Sequence, residues 1–191
     1  MKNIYCIVGV SGSGKTTVVE ALEQQCGFVV VNSYTTRPKR HPNETGHIFV
    51  TDEEFNRLPN LCAFTEFNGY RYGVPASMID ESDLYVIDIP GVNYLKESYM
   101  GPKSIKVVGL RLPPIDANVP YDGPNDFTLP EREAYRRMLC RGDTAEKAVE
   151  RVIHDRHMFA DFDVACDYYV EAKDVDKTVE TVMRFILSNE T

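Results

Sequence analysis

The run Gly9-Val10-Ser11-Gly12-Ser13-Gly14-Lys15-Thr16 constrains this chain more than any other feature. A G-x-x-x-x-G-K-T sequence has its chemistry only where a strand ends and a helix begins. There the glycines let backbone N–H groups turn inward around an anion, and the helix points its positive end at the same spot. Both flanks fit. Asn3 to Val8 reads as a buried strand, and Lys15 to Gln25 as a helix that stops before Gly27. Gly9, Ser11, Gly12, Ser13, Gly14, Lys15, Thr16 and Thr17 are therefore expected to hold a nucleoside triphosphate, with the Lys15 ammonium between its outer phosphates and the Thr16 hydroxyl on Mg²⁺.

A loop of this kind implies an α/β fold, and the rest of the chain carries the same rhythm. Short apolar runs at Phe28 to Asn32, Leu84 to Ile87, Ile105 to Leu112 and Asp167 to Val170 alternate with helical patterns. Those helices begin near Pro75 and Val92 and cover Pro130 to Cys140, Thr144 to Phe159 and Val175 to Leu187. The expectation is a three-layer fold with a central parallel sheet. Ser33 to Gly73 breaks the pattern with a basic loop, a β-like Gly46 to Val50, a helix opened by the capping box Thr51-x-x-Glu54, and an aromatic turn from Gly69 to Gly73. Pro113 to Leu129 breaks it again as an acidic, proline-rich loop, of a length that is usually functional or mobile.

Composition narrows the partners. With 191 residues the chain is sized for one domain, and its net charge of −8 repels nucleic acid and anionic membranes over most of the surface. Five cysteines without a C-x-x-C pair read as reduced thiols rather than a zinc site or disulfide framework. The opening apolar run at Ile4 to Val8 is too short for a signal peptide, and no segment reaches the roughly 20 apolar residues that span a bilayer. A cytoplasmic protein acting on small nucleotides is expected. N-K-x-D, the guanine-reading motif of GTPases, is absent, and the arginines further along suit phosphoryl transfer to a second substrate.

Three positive charges crowd into Arg37-Pro38-Lys39-Arg40 on this acidic chain. Pro38 keeps Arg37 extended, so Arg37 and Arg40 can fork onto a phosphate that Ser33 also contacts. Arg137 and Arg141 stand one helical turn apart, and Gly142 separates them from a helix carrying Arg151. Side by side they repel, which makes more sense around an incoming anion than in pairing with Glu133 or Glu146 alone. Leu84 to Asp88 is a hydrophobic strand ending in a carboxylate, a form suited to Mg²⁺. Glu66 lies between Phe64 and Phe67 in an apolar setting, where an unpaired charge would be costly.

Ser33-Tyr-Thr-Thr-Arg37-Pro-x-Arg40, Gly46-x-x-Phe49-Val-Thr-x-Glu53-Glu-Phe55, Glu66 and Gly69-x-x-Tyr72-Gly73, in that order after the phosphate loop, resemble the guanylate kinase family. The resemblance implies that Ser33, Arg37, Arg40 and Tyr72 hold the acceptor phosphate, that Glu66 reads guanine, and that Asp88 serves the Mg²⁺ shell or the acceptor base. It also implies a γ-phosphate clamp of Arg137, Arg141 and Arg151. The chain departs from the family at His47, where a tyrosine is usual, and at Val74 and Pro75, where a hydroxyl residue follows Tyr-Gly. Val86 stands in place of a first acid, Glu171 where an asparagine is common, and fewer residues separate Glu66 from Gly69.

The resemblance further implies a core of residues 1–32, 76–135 and 152–191, an acceptor-binding subdomain 33–75 and a lid 136–151. ATP would donate its γ-phosphoryl group to GMP or dGMP with Mg²⁺. Two alternatives stay open: another nucleoside monophosphate or a phosphorylated sugar as acceptor, and a non-catalytic module that binds phosphorylated partners.

Overall fold

The computed structural model describes residues 1–39, 42–67 and 69–190. In chain order the elements are β1 (Asn3–Val8), α1 (Lys15–Cys26), β2 (Ser33–Thr35), β3 (His47–Phe49), α2 (Asp52–Phe55), β4 (Leu61–Phe67), β5 (Tyr70–Pro75), α3 (Ala76–Glu81) and β6 (Leu84–Val86). There follow α4 (Ile89–Ser98), β7 (Ser104–Arg111), α5 (Leu129–Cys140), α6 (Ala145–Met158), α7 (Phe162–Ala165), β8 (Tyr168–Glu171) and α8 (Val175–Glu190).

The main sheet runs β6-β1-β7-β8 with every pairing parallel. Its strands are sandwiched, as their continuous apolar composition requires. Alternate residues of β1 serve opposite layers: Tyr5 and Ile7 pack with Val18, Val19 and Leu22 of α1 and with Val179, Val182 and Ile186 of α8. Ile4, Cys6 and Val8 pack on the other side, with Val92 and Leu95 of α4. This is the three-layer α/β architecture that the phosphate loop implies.

Phe28 to Asn32, read from sequence as a strand, contributes only an isolated bridge, Val30 to Leu84, at the sheet edge. Strands β3-β2-β5-β4 form a second, mixed sheet. The aromatic segment after Gly69 is accordingly a strand rather than a turn: Gly69 takes a left-handed φ, of 76°, and β5 begins at Tyr70. Cys62, Ala63 and Val74 pin this sheet to the Ile4, Cys6 and Val8 face of the core. The capping box at Thr51 and Glu54 forms as the sequence indicates.

A third apolar cluster gathers Leu112, Phe127, Ala134, Tyr135, Met138, Ala148 and Val152, joining α5, α6 and the proline-rich loop. All five cysteines are free thiols. Among the described residues no helix is long and apolar enough to cross a membrane.

Candidate active site

Gly12 and Gly14 carry φ of 77° and 88°, a left-handed backbone that L side chains resist. Gly14 caps α1, whose first turn opens onto the loop. A side chain at Gly12 would also press on α5, since a Cβ there would lie 3.1 Å from the Ala134 carbonyl oxygen. The loop is thus shaped by its glycines and closed over by a helix from the distant half of the chain. Ser13 is fully buried, and its hydroxyl has no hydrogen-bond partner among the described residues. An unpartnered buried hydroxyl costs free energy, and a polar group of a bound ligand could supply its partner.

Lys15 lies in this loop with its Nζ donating to the carbonyl oxygens of Gly9 at 2.5 Å and Val10 at 3.1 Å. Burial pushes its pKa down to about 8, with the positive charges of Arg151 and Arg141 acting in the same direction and Asp155 and Asp88 opposing. Arg137 donates to the Gly12 carbonyl oxygen at 3.4 Å and to Ala172 at 3.0 Å, and Arg151 Nε donates to Ser11 Oγ at 3.2 Å. Arg141 ends α5 and pairs with Asp143 at 2.5 Å, near enough to influence Lys15. The three arginines expected from sequence converge on the loop, but not unpaired. Glu133, buried, accepts from both Arg136 and Arg137.

The acceptor residues gather on the second sheet. Ser33 and His47 face each other across β2 and β3, with Ser33 Oγ 2.9 Å from His47 Nδ1. The His47 ring meets Tyr72 edge-on at 5.6 Å between centroids. Arg37 is buried under a two-point pairing with Glu44, at 2.8 and 3.2 Å, while its Nε has no partner among the described residues. Arg40, the other expected phosphate ligand, lies outside the described residues.

Glu66 requires a correction. In the β4–β5 register Thr65 pairs with Tyr72 and Glu66 with Arg71. Directly opposed residues project to one face of a sheet, so Thr65 shares the face of Tyr72 and His47 while Glu66 shares that of Arg71. Arg71 stacks over Phe55 and pairs with Asp52, away from the acceptor cluster. Glu66 is exposed there, and the residues of β4 that line the cavity are Ala63, Phe64 and Thr65.

That cavity, of about 360 Å³, brings Gly9, Ser11 and Lys15 together with Ser33, His47, Tyr72 and Asp88. Asp88 caps α4, its Oδ1 accepting from the Gly91 N–H at 2.7 Å. Thr16 and Thr17 are exposed at the start of α1, and Thr16 lines an adjoining groove that shares Ser33, His47, Tyr85 and Val86 with the cavity. A hydroxyl and a carboxylate are the hard oxygen donors that Mg²⁺ takes when phosphates complete its shell, so the residues present fit that ion.

Three residues of this site carry no motif in the sequence: Glu44, Glu133 and Asp155. Asp155 accepts from the Ser11 N–H at 2.5 Å. Its only sequence signal is its spacing from Arg151, one turn earlier on α6.

A family described as AAA domain matches residues 4–66, the stretch from β1 through the phosphate loop into β4. A guanylate kinase of Prochlorococcus marinus subsp. pastoris is 28% identical over 98% of both chains. One from Mannheimia succiniciproducens is 31% identical, covering 78% of this chain and 71% of that relative. The crystal structure of guanylate kinase from Anaplasma phagocytophilum shares the fold, with a TM-score of 0.61 at 23% identity, over 98% of this chain and 86% of that one. Because likeness at 31% identity extends over most of both chains and the solved relative has the same architecture, this protein is a phosphotransferase and belongs to the guanylate kinase family.

Proposed function

We propose that the protein transfers the γ-phosphoryl group of ATP to the phosphate of a nucleoside monophosphate, GMP or dGMP, with Mg²⁺. One observation carries this reading: a single cavity is lined on one side by the phosphate loop and on the other by the Ser33, His47 and Tyr72 cluster. Two anion-binding sets facing each other suit a donor and an acceptor phosphate.

An acceptor phosphate oxygen is already ionised at neutral pH, so no general base is required, and the protein's task is alignment and charge neutralisation. Lys15, Arg137 and Arg151 would supply positive charge around the transferring group, with Arg141 turning in from Asp143. Arg37 Nε, the unsatisfied donor of its guanidinium, would bind the acceptor phosphate with Ser33, Tyr72, His47 and Arg40. Thr16 and Asp88 would hold Mg²⁺, which when bound neutralises charge on the phosphates. The second sheet, within residues 33–75, would serve as the acceptor-binding subdomain, and the α5–α6 pair around residues 136–151 as a lid whose closure excludes water. Free thiols and an acidic surface support a cytoplasmic enzyme whose partners are small nucleotides rather than nucleic acid or membrane.

With Glu66 outside the cavity, base recognition would fall to the Thr65 hydroxyl, or to Asp88 in place of its role on the Mg²⁺ shell. The apolar Ala63 and Phe64 beside the Thr65 hydroxyl favour a second reading, in which another base occupies this pocket. ADP release with ATP and Mg²⁺ and each of GMP, dGMP, AMP, CMP, UMP and IMP separates the two. GMP and dGMP are expected to be the best acceptors. Turnover of AMP, CMP or UMP in preference to GMP would overturn the base assignment alone, and no ADP with any acceptor would overturn the kinase reading.

A further inference from the structure

Asp155 places a carboxylate inside a loop built for phosphate. It accepts from the Ser11 backbone N–H at 2.5 Å, its side chain is only 14% exposed, and its charge opposes the depression of the Lys15 pKa. Arg151, one turn earlier on the same face of α6, donates to the Ser11 hydroxyl. Helix α6 therefore presents a cation and an anion together to one loop residue. The cation suits a phosphate site, whereas the anion opposes one. Backbone N–H groups of such a loop are the donors that cradle phosphate oxygens, and one N–H cannot serve two anions at full strength.

We infer that Asp155 is a donor-site residue that competes with the outermost phosphate of the bound triphosphate for the Ser11 N–H, and so lowers affinity for ATP more than for ADP. The inference rests on the reading of this loop as the ATP site. Without nucleotide the carboxylate satisfies a loop donor and offsets the charge of Lys15, keeping the loop formed. When ATP enters, the carboxylate leaves the N–H or stays beside a phosphate of like sign, and either course opposes binding. ADP lacks the third phosphate and meets less of this opposition. Because Asp155 belongs to the last turn of α6, donor binding and the position of that helix are coupled.

The test is calorimetric titration of the whole protein with Mg-ATP and with Mg-ADP, for the native chain, Asp155→Asn and Asp155→Ala, with thermal melts to verify folding. Asparagine keeps the shape and an acceptor oxygen but removes the charge. Loss of a charged hydrogen-bonding competitor is expected to tighten ATP binding about tenfold, with a much smaller change for ADP. Equal ATP affinity in native protein and Asp155→Asn overturns the inference, as does equal tightening for ATP and ADP, which would mark a general charge effect. Weaker ATP binding in both variants overturns it in the opposite sense, making the carboxylate an aid to the donor. If no variant binds either nucleotide, the ATP-site reading itself falls and takes the inference with it. Binding by Asp155→Asn but not by the native chain supports both.

Discussion

Lys15 is held where its charge is costly. Burial depresses its pKa from the ordinary 10.5 to about 8, so its positive charge is lost as pH rises through about 8 rather than two units higher. In stability terms the folded chain binds this proton less tightly than the unfolded chain. The penalty of the buried charge is therefore full below about pH 8 and fades as pH rises toward the ordinary lysine value. A triphosphate beside the ammonium restores its preference for charge. ATP binding above about pH 8 is accordingly expected to take up a proton and to weaken as pH rises further. Calorimetry in two buffers of different ionisation enthalpy measures that uptake directly. Lys15→Met should abolish it, and a native protein that binds ATP at this pH without proton uptake would remove Lys15 from the phosphate contact.

Element by element, α5 shows how one buried acid arranges two arginines. Glu133 accepts from Arg136 at 2.8 Å and from Arg137 at 2.7 Å, and the Arg136 guanidinium above all holds its carboxyl below the usual range. Its stabilising effect is fully present above the unfolded carboxylate pKa of about 4.3 and is lost as pH falls through the lower folded value. Glu133→Gln is expected to cost about 1–3 kcal/mol near neutral pH and to flatten the acid limb of stability, both read from melts across pH. Turnover should fall too, since Arg137 loses the partner that aims it at Gly12. An unchanged acid limb would show that another carboxylate governs it.

The same scale shows what the sequence made legible. The phosphate loop, the alternating elements and the one-turn spacing of Arg137 and Arg141 are local patterns. The side that Glu66 takes is not a local property: it depends on the pairing of β4 with β5, and a shift of one residue exchanges the faces. The register that pairs Phe67 with Tyr70 is what sets Tyr72 opposite Thr65. The partner of Asp155 is likewise not local, lying 144 residues away. Nor does an acidic, proline-rich sequence announce that Tyr121 and Phe127 will pack against Tyr135 and support α5.

Taken whole, the molecule has two kinds of connection. The second sheet is joined to the main sheet by buried apolar contacts. The α5–α6 unit shares an apolar cluster with Leu112 and Val10, and also meets the phosphate loop through polar contacts: Ser11 with Asp155 and Arg151, and Gly12 with Arg137. Polar contacts around a charged cavity are those that a bound polyanion rearranges, while an apolar cluster moves as a body. The α5–α6 unit is therefore expected to open as one cooperative piece at lower free energy than β1, which is buried between β6 and β7. Hydrogen exchange measures this. Amides of 129–158 should exchange together and faster than those of 3–8, and Mg-ATP with GMP, bound as proposed, should slow the α5–α6 group and β2 to β5 jointly, because the two nucleotides would then span the cavity between them. Exchange of α6 as slow as β1, or slowing confined to the phosphate loop, would show that the helix pair is part of a rigid core and that the cavity closes, if it closes, by side chains alone.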